Sequence, residues 1–317
     1  MYFRQKNNVL VKAIYTYAII IFAMIFWGLT FVWSSIVFKY YDPITTIFLR
    51  LLISTAIMFV GLKLFKLIKP IKKEHYRLFL LSALFNPFLY FIGENYGVKY
   101  SSATISAVVI ASIPVFTPII GYYFIKEKLS KINILGMIVS FSGILMIIIN
   151  DDFSLNVETI GILALSLAII TAIGYSIVLK RLSNDYNPFY IIAVQNLIGI
   201  FYFLPLFLFF GLDTFLTTHI TTELAVSILE LAIFGSSLAF VFYTIGTREL
   251  GVNKTNFFTN LIPVVTAIFS FYVLDEVFSF YKIMGIVIVI LGVVLSQINY
   301  KTRFANIYRF VWRNRKE

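Results

Sequence analysis

Ten runs of about 20 apolar residues, parted by short charged breaks, fill this 317-residue chain and decide what it can fold into. The runs are 14–38, 44–63, 77–97, 102–125, 132–150, 158–180, 188–211, 223–246, 252–274 and 279–299. Each is long enough to cross the hydrocarbon of a bilayer as a helix. Backbone facing lipid must satisfy its own hydrogen bonds, so a helix is expected for every run. Composition closes off the water-soluble alternative. The chain is 60% hydrophobic and 13% charged, against roughly 45–50% and about 25% in soluble domains. One aqueous core cannot hide that much apolar surface. The first run is too long for a signal-peptide core and lacks a small-x-small cleavage site, so it reads as a retained helix.

Basic residues give the direction, because lysine and arginine collect on the cytoplasmic side. With the N-terminus inside, 22 of the 26 fall in inside segments. Only Lys39, Lys99 and Lys282 fall outside, and Arg50 lies within a span. This predicts a multi-pass protein of the plasma membrane (the inner one where a cell has two), with both termini cytoplasmic. The net charge of +11 does not mark a nucleic-acid binder, because the charges sit between apolar runs rather than on a soluble domain. Cysteine is absent, which excludes disulfides and thiolate metal sites. Both histidines, His75 and His219, fall in predicted loops. No metal or cofactor is expected.

The chain also repeats itself. A shift of 149 residues carries the stretch from Gly97 onto the stretch from Gly246 without a gap. It places Gly97 on Gly246, Pro114 on Pro263, Thr117 on Thr266, Glu127 on Glu276, Gly136 on Gly285 and Gly143 on Gly292. Upstream, YDPITTIFLR from Tyr41 matches YNPFYIIAVQ from Tyr186 at a slightly different shift. Five spans is an odd number, so the second copy starts from the opposite side and the halves are inverted. Inverted repeats are typical of secondary transporters, which hold substrate near the midplane between the repeats. The expected organisation is a cytoplasmic tail over 1–13, a first repeat over 14–150, an inverted second repeat over 151–299 and a basic tail over 300–317. In that last tail Phe304, Ile307, Tyr308, Val311 and Trp312 recur at helical spacing among Arg303, Arg309, Arg313 and Arg315. It reads as an amphipathic helix on the anionic cytoplasmic lipid surface, or as a disordered topology-setting tail.

The stretches WGLTFVWSSIV, DPITTIFLRLL, ENYGVKYSSATISAVVIASIPVFTPIIGYYFIKEKLS and LGVNKTNFFTNLIPVVTAIFSFYVLDE resemble the drug/metabolite transporter (DMT) superfamily in its EamA-type permease branch. The resemblance covers nearly the whole chain apart from the tails. It implies an all-α integral membrane protein of ten transmembrane helices in two inverted five-helix repeats. It also implies a central cavity, with substrate between helices 1, 3, 4 and 6, 8, 9. Such proteins mostly export amino acids, nucleotide-related compounds or other small metabolites. The second half departs from the pattern at Gln195, where the first half has Arg50.

Polar residues inside spans are the candidates for substrate contact. Glu94, in FIGENYG, is either a proton carrier or a wetted interfacial carboxylate near Lys99; Asn95 beside it offers both a donor and an acceptor. Arg50 is either a structural arginine that binds helix-end carbonyls and orients Asp42, or a clamp for a substrate carboxylate. Glu230 is a second protonatable group or points into a wet crevice. Trp27, Tyr90, Tyr175 and Tyr243 are aromatics near mid-span that could stack on a ligand, with Trp27 and Tyr243 preferred. Pro114 and Pro263 read as repeat-related bends that hinge or line the cavity, or as inert kinks. Asn260 lies one turn before Pro263, and Asn86 beside Pro87 is a similar case. Glu127 and Glu276 read as end-of-helix anchors, with a gate salt bridge as the alternative.

No G-x-x-x-x-G-K-[ST] occurs, so this chain does not hydrolyse ATP through a P-loop. The drive is then a substrate gradient, exchange, or a sodium or proton gradient, which leaves a coupling proton open. The expected function is a secondary transporter, an exporter of amino acids or related small metabolites by alternating access. The alternatives are a passive channel, a ligand-sensing membrane protein and, last, an intramembrane enzyme, for which no protease motif is present. The expected partners are a small-molecule substrate and membrane lipids, with no nucleic acid, in a monomer or a homodimer.

Overall fold

Asp42 and Pro43 start a helix, and so do Asn187 and Pro188. The Asp42 carboxylate accepts the backbone N–H groups of Ile44 and Thr45 at 2.8 and 3.0 Å, and the Asn187 carbonyl accepts that of Phe189 at 2.9 Å. Each pair is an N-cap followed by a proline whose missing N–H costs nothing in the first turn. An offset of 145, which carries Tyr41 to Tyr186, superposes the two caps, so both repeats begin their second helix with the same device.

The computed structural model describes residues 2–116, 131–148, 157–251, 255–256 and 258–296. Among them are ten apolar helices: α1 (Tyr2–Val37), α2 (Pro43–Leu64), α3 (Lys73–Lys99), α4 (Ala103–Phe116), α5 (Lys131–Ile148), α6 (Thr159–Asp185), α7 (Pro188–Thr217), α8 (Thr222–Leu250), α9 (Phe258–Val273) and α10 (Phe280–Ser296). Seven have the length and apolarity to cross a bilayer; α4, α9 and α10 are shorter apolar helices. No strand occurs among the described residues. The stretch 2–13, read from sequence as a tail, is helical and continuous with α1. Glu127 and the tail over 300–317 lie outside the described residues.

The packing of α5 on α10 makes the inversion explicit. Gly136 meets the backbone of Ser296, Ser140 meets Gly292, Gly143 meets Val289 and Ile147 meets Gly285. Advancing along α5 means retreating along α10, so the helices are antiparallel. The offset of 149 carries Gly136, Ser140, Gly143 and Ile147 onto Gly285, Val289, Gly292 and Ser296. It therefore maps this contact set onto itself with partners exchanged, as a two-fold axis across the seam requires. Small residues let the two backbones approach. A Cβ on Gly143 would stand 2.7 Å from the Val289 nitrogen, so nothing larger than glycine fits unshifted. The opposite face of α5, with Ile134, Ile138, Phe141 and Leu145, is exposed and suits lipid.

The same exchange holds elsewhere. Leu165 of α6 fills the space at Gly97 of α3, and its repeat mate Ile20 of α1 fills the space at Gly246 of α8. Helices α2 and α7 pack antiparallel, with the Phe48 and Phe207 rings stacked at 4.2 Å and Asn196 bonded to Ser54. Helices α3 and α8 each contain a π-helical stretch, Leu84–Leu89 and Leu231–Leu238, at overlapping positions of the repeat. In α3 the chain turns extended at Asn86 (φ −146°, ψ 120°), just before Pro87. Wide turns of this kind often mark functional positions. Pro114 and Pro263 also occupy paired positions of the repeat. Regular helix is interrupted at Ser112 before the first, and a 3-10 turn, Phe258–Asn260, precedes the second.

Candidate substrate site

Arg50 projects from α2 to the seam between repeats and is 1% exposed. Its Nε donates to Ser236 Oγ of α8 at 2.7 Å, and its guanidinium carbon lies 4.3 Å from the centre of the Phe91 ring of α3. A cation over a ring face is favoured, and the guanidinium keeps its fork of N–H groups in its own plane. Nη1 has no hydrogen-bond partner. The bond to Ser236 is itself braced: Asn196 of α7 donates to the Ser236 carbonyl at 2.9 Å and to Ser54 Oγ at 2.8 Å. Ser54 and Ser237 share a further bond of 2.6 Å. Gly235 makes room, since a Cβ there would lie 2.5 Å from Thr30 Cγ2 and 3.1 Å from Arg50 Nη2. The sequence alternative, in which Arg50 orients Asp42, does not describe this geometry, because Asp42 is spent capping α2.

Glu94 lies on α3 and is 8% exposed. Its Oε1 accepts the Tyr90 hydroxyl at 2.9 Å, one helical turn away. It sits within electrostatic reach of Arg50 yet forms no direct ion pair with it. Lys99 is not its partner; that side chain lies over the Tyr100 ring instead. Asn95 donates to the Phe91 carbonyl at 2.9 Å, and its own carbonyl oxygen has no partner.

Both repeats contribute to an aromatic wall. Trp27 of α1 packs edge-on to Phe240 at 4.9 Å and against Tyr243 at 5.0 Å, and Phe240 in turn meets Phe91 at 6.0 Å. The Tyr243 hydroxyl donates to Asn256 Oδ1 at 2.7 Å. Tyr175 of α6 donates to Gln195 Oε1 at 3.2 Å, and Gln195 donates onward to Ser82. Tyr243 is within electrostatic reach of both Tyr90 and Tyr175. The buried Arg50, Tyr90, Glu94, Tyr175 and Tyr243 and the half-buried Trp27 thus make up a central layer contributed by α1, α2, α3, α6 and α8.

The remaining candidates stand apart. Glu230 is half-buried just before the π-helical stretch of α8. It precedes Tyr243 on α8 by roughly 20 Å of helix. Asn260 is half-buried in the 3-10 turn that opens α9. Pro114 and Pro263 are buried in α4 and α9. Glu276 belongs to a different cluster, at the turn between α9 and α10. Its carboxylate accepts Lys282 Nζ at 2.6 Å and, across the repeat seam, the Thr104 hydroxyl of α4 at 2.6 Å. Burial works against its charge, but bonds from Lys282, Ser102 and Thr104 outweigh that and hold its carboxyl below the usual carboxylate range. A groove of about 1030 Å³ lies beside it, walled by the exposed Ile268, Phe271, Tyr272 and Val277, away from the central layer.

Several members of the layer escaped sequence reasoning: Ser54, Asn196, Ser236, Ser237 and Asn256. Their signal was weak but present, since small polar residues stand out in an apolar span. Hydroxyls in helices usually bond their own preceding turn, which hides the few that do not.

The model of the EamA-like transporter family matches residues 14–149 and again residues 159–298. "Uncharacterized transporter YyaM" of Bacillus subtilis (strain 168) is 28% identical over 293 residues, which covers 90% of this chain and 94% of the relative. "Uncharacterized transporter YetK" of the same organism is 26% identical over 306 residues, covering 95% and 92%. An "Uncharacterized transporter" of Archaeoglobus fulgidus is 26% identical over 268 residues, covering 84% and 93%. A crystal structure resembles the fold with a TM-score of 0.67 at 13% identity, over 89% of this chain and 98% of the other. With both halves matched and the relatives covered almost end to end, this chain belongs to the EamA-like transporter family and is a membrane transporter.

Proposed function

We propose that the protein is a secondary transporter that exports small metabolites, amino acids and related compounds first among them, across the plasma membrane. Residues 14–150 and 151–299 form the two repeats, with both termini in the cytoplasm as the basic residues suggest. Cargo occupies the central layer, and rocking of one repeat against the other opens that layer to each side in turn.

The observation that carries this reading is the junction of Arg50 with Ser236. A guanidinium from the first repeat is held by a hydroxyl of the second, with one N–H group buried and unspent. Leaving a charged donor buried without a partner is costly, and such groups persist where a ligand completes them. The aromatic wall of Trp27, Phe240 and Tyr243 supplies apolar contact beside it. Arg50, Ser236 and Glu94 are all buried, which is in keeping with an occluded step of alternating access.

Counterflow in proteoliposomes tests the reading. Vesicles preloaded with unlabelled amino acids should accumulate the labelled compound transiently and saturably. Linear, non-saturable flux would favour a channel. Absence of flux for amino acids, nucleosides and small organic acids alike would defeat the proposal.

A further inference from the structure

The turn that joins α9 to α10 departs from local preference at one residue. Asp275 follows the C-cap Leu274 and holds a left-handed backbone, with φ at 52°. Glycine is the usual occupant of that position, and a negative charge is unfavourable at a helix C-terminus, where the macrodipole is itself negative. The Asp275 side chain is exposed and has no ion-pair partner among the described residues. Its neighbour Glu276 takes Lys282 at 2.6 Å, and Lys282 lies over the Phe278 ring at 4.8 Å. One negative charge is therefore left over. The turn itself is fixed: the Glu276 N–H donates to the Ser270 carbonyl at 3.1 Å, and the Glu276 carboxylate accepts the Thr104 hydroxyl at 2.6 Å. Asp275 lines the turn end of the groove of about 1030 Å³. The other walls are Ile268, Phe271 and Tyr272 of α9, Val277 of the turn and Ile283 of α10, all exposed. From Ala267 to Asp275 is about 12 Å of helix, against about 15 Å for half the hydrocarbon thickness.

We infer that the groove between α9 and α10 is a binding site for a phospholipid whose headgroup carries a primary ammonium: an acyl chain lies along α9, and the ammonium meets Asp275. The inference rests on the spans lying in a bilayer and is independent of which solute the protein carries. An apolar trough nearly one leaflet deep, ending in an unpaired carboxylate, matches a lipid better than a soluble solute in shape and in charge. The chain gains no hydrophobic driving force by leaving other lipid, so the groove contributes packing and the headgroup supplies the selectivity. An ethanolamine headgroup donates charge-assisted hydrogen bonds to the Asp275 oxygens and offsets the acid's cost at the helix end. A choline headgroup brings the cation without N–H donors. A glycerol headgroup brings only the phosphate's negative charge to a turn that already has an acid in excess. The expected order is ethanolamine, then choline, then glycerol.

The test uses the detergent-purified full chain at neutral pH. Dioleoyl phosphatidylethanolamine, phosphatidylcholine and phosphatidylglycerol are titrated singly, and affinity is read from thermal stabilisation. The ethanolamine lipid should bind about threefold or more tighter than the glycerol lipid, with the choline lipid between them. Asp275→Asn retains a residue that tolerates left-handed backbone, so the turn stands, and it should bring the three lipids level. Ile268→Trp fills the groove from an exposed position and should weaken all three. Phe141→Trp, on the exposed face of α5, should weaken none. Phosphoethanolamine, the headgroup without its chains, should not stabilise the protein at the same concentrations. Equal affinities in the wild-type protein would overturn the inference, and so would an order that survives Asp275→Asn. A loss in Phe141→Trp that matches the loss in Ile268→Trp would reduce the effect to bulk lipid and overturn it too. Stabilisation by phosphoethanolamine equal to that by the lipid would assign the turn to a soluble ligand instead. Loss of solute flux in vesicles leaves the lipid order untouched, so failure of the transport reading and failure of this one are distinguishable.

Discussion

The two repeats share a scaffold and differ in chemistry. Across the α5–α10 seam each contact has a counterpart under exchange of the halves, and Leu165 on Gly97 is echoed by Ile20 on Gly246. At the centre the echo fails: Arg50 faces Gln195 in the alignment, and Glu94 faces Tyr243. A second contrast lies between two loops. Tyr186 bonds His75 Nδ1 at 2.9 Å and accepts the Lys72 N–H at 3.1 Å, beside Phe79. Its repeat mate Tyr41 sits in a purely apolar nest with Leu224 and Ile228, the counterparts of His75 and Phe79. Symmetric packing suffices for two interchangeable conformations. Recognition of an asymmetric cargo needs no symmetry, so the charges are free to collect in one half.

The sharpest way to break this contrast is to neutralise each centre separately. Arg50→Ala and Glu94→Ala should each lower counterflow by roughly 30-fold or more, since losing a buried charged contact costs about 2–5 kcal/mol. Gln195→Ala should cost less than about tenfold, within the range of a neutral hydrogen bond. Equal losses in both halves would show that charge placement is unimportant.

The scaffold should respond evenly. Gly143→Leu and its mate Gly292→Leu both force apart an interface with no spare volume. Each should destabilise the protein by about 1–3 kcal/mol in thermal or denaturant unfolding, by similar amounts. A large difference between them would deny the two-fold relation of the seam.

The loops should respond unevenly and more weakly. Tyr186→Phe removes two hydrogen bonds and should cost about 1 kcal/mol, whereas Tyr41→Phe should cost less than about 0.5 kcal/mol. Unfolding midpoints of the two variants give the comparison.

A modest, pH-dependent effect is expected at Glu276. Its carboxyl ionises more readily in the folded protein than in the unfolded chain, so it stabilises the fold at pH above the ordinary glutamate value. That contribution fades as the pH drops through the depressed folded value. Glu276→Gln should cost about 1 kcal/mol or less at neutral pH, because the Lys282 pair is partly solvated. It should also flatten the acid limb of the stability curve. An unchanged acid limb would remove the role of the Glu276 cluster.

Spans and repeats were legible because hydropathy and residue offset are properties of the string. Arg50, Glu94, Trp27 and Tyr243 were legible as polar or amphipathic groups in apolar runs. Helix rotation was not, because it depends on which side chains meet across a seam. That is why Glu94 and Glu230 looked alike in sequence yet only Glu94 joins the layer. Its apparent nearness to the surface misled, since α6 packs over it at Gly93 and Gly97. The Ser236 and Asn196 brace was hidden for the same reason, as was the tie from Glu276 to Thr104, which links residues 172 apart in sequence.

The native chain has no cysteine, so a single introduced thiol reports without background. Lys69 and Thr218 occupy equivalent positions in the loops after the second helix of each repeat. If the repeats are inverted, a membrane-impermeant maleimide added to intact cells labels Thr218→Cys at once and Lys69→Cys only after permeabilisation. Labelling of both residues from the same side would contradict the inverted-repeat architecture.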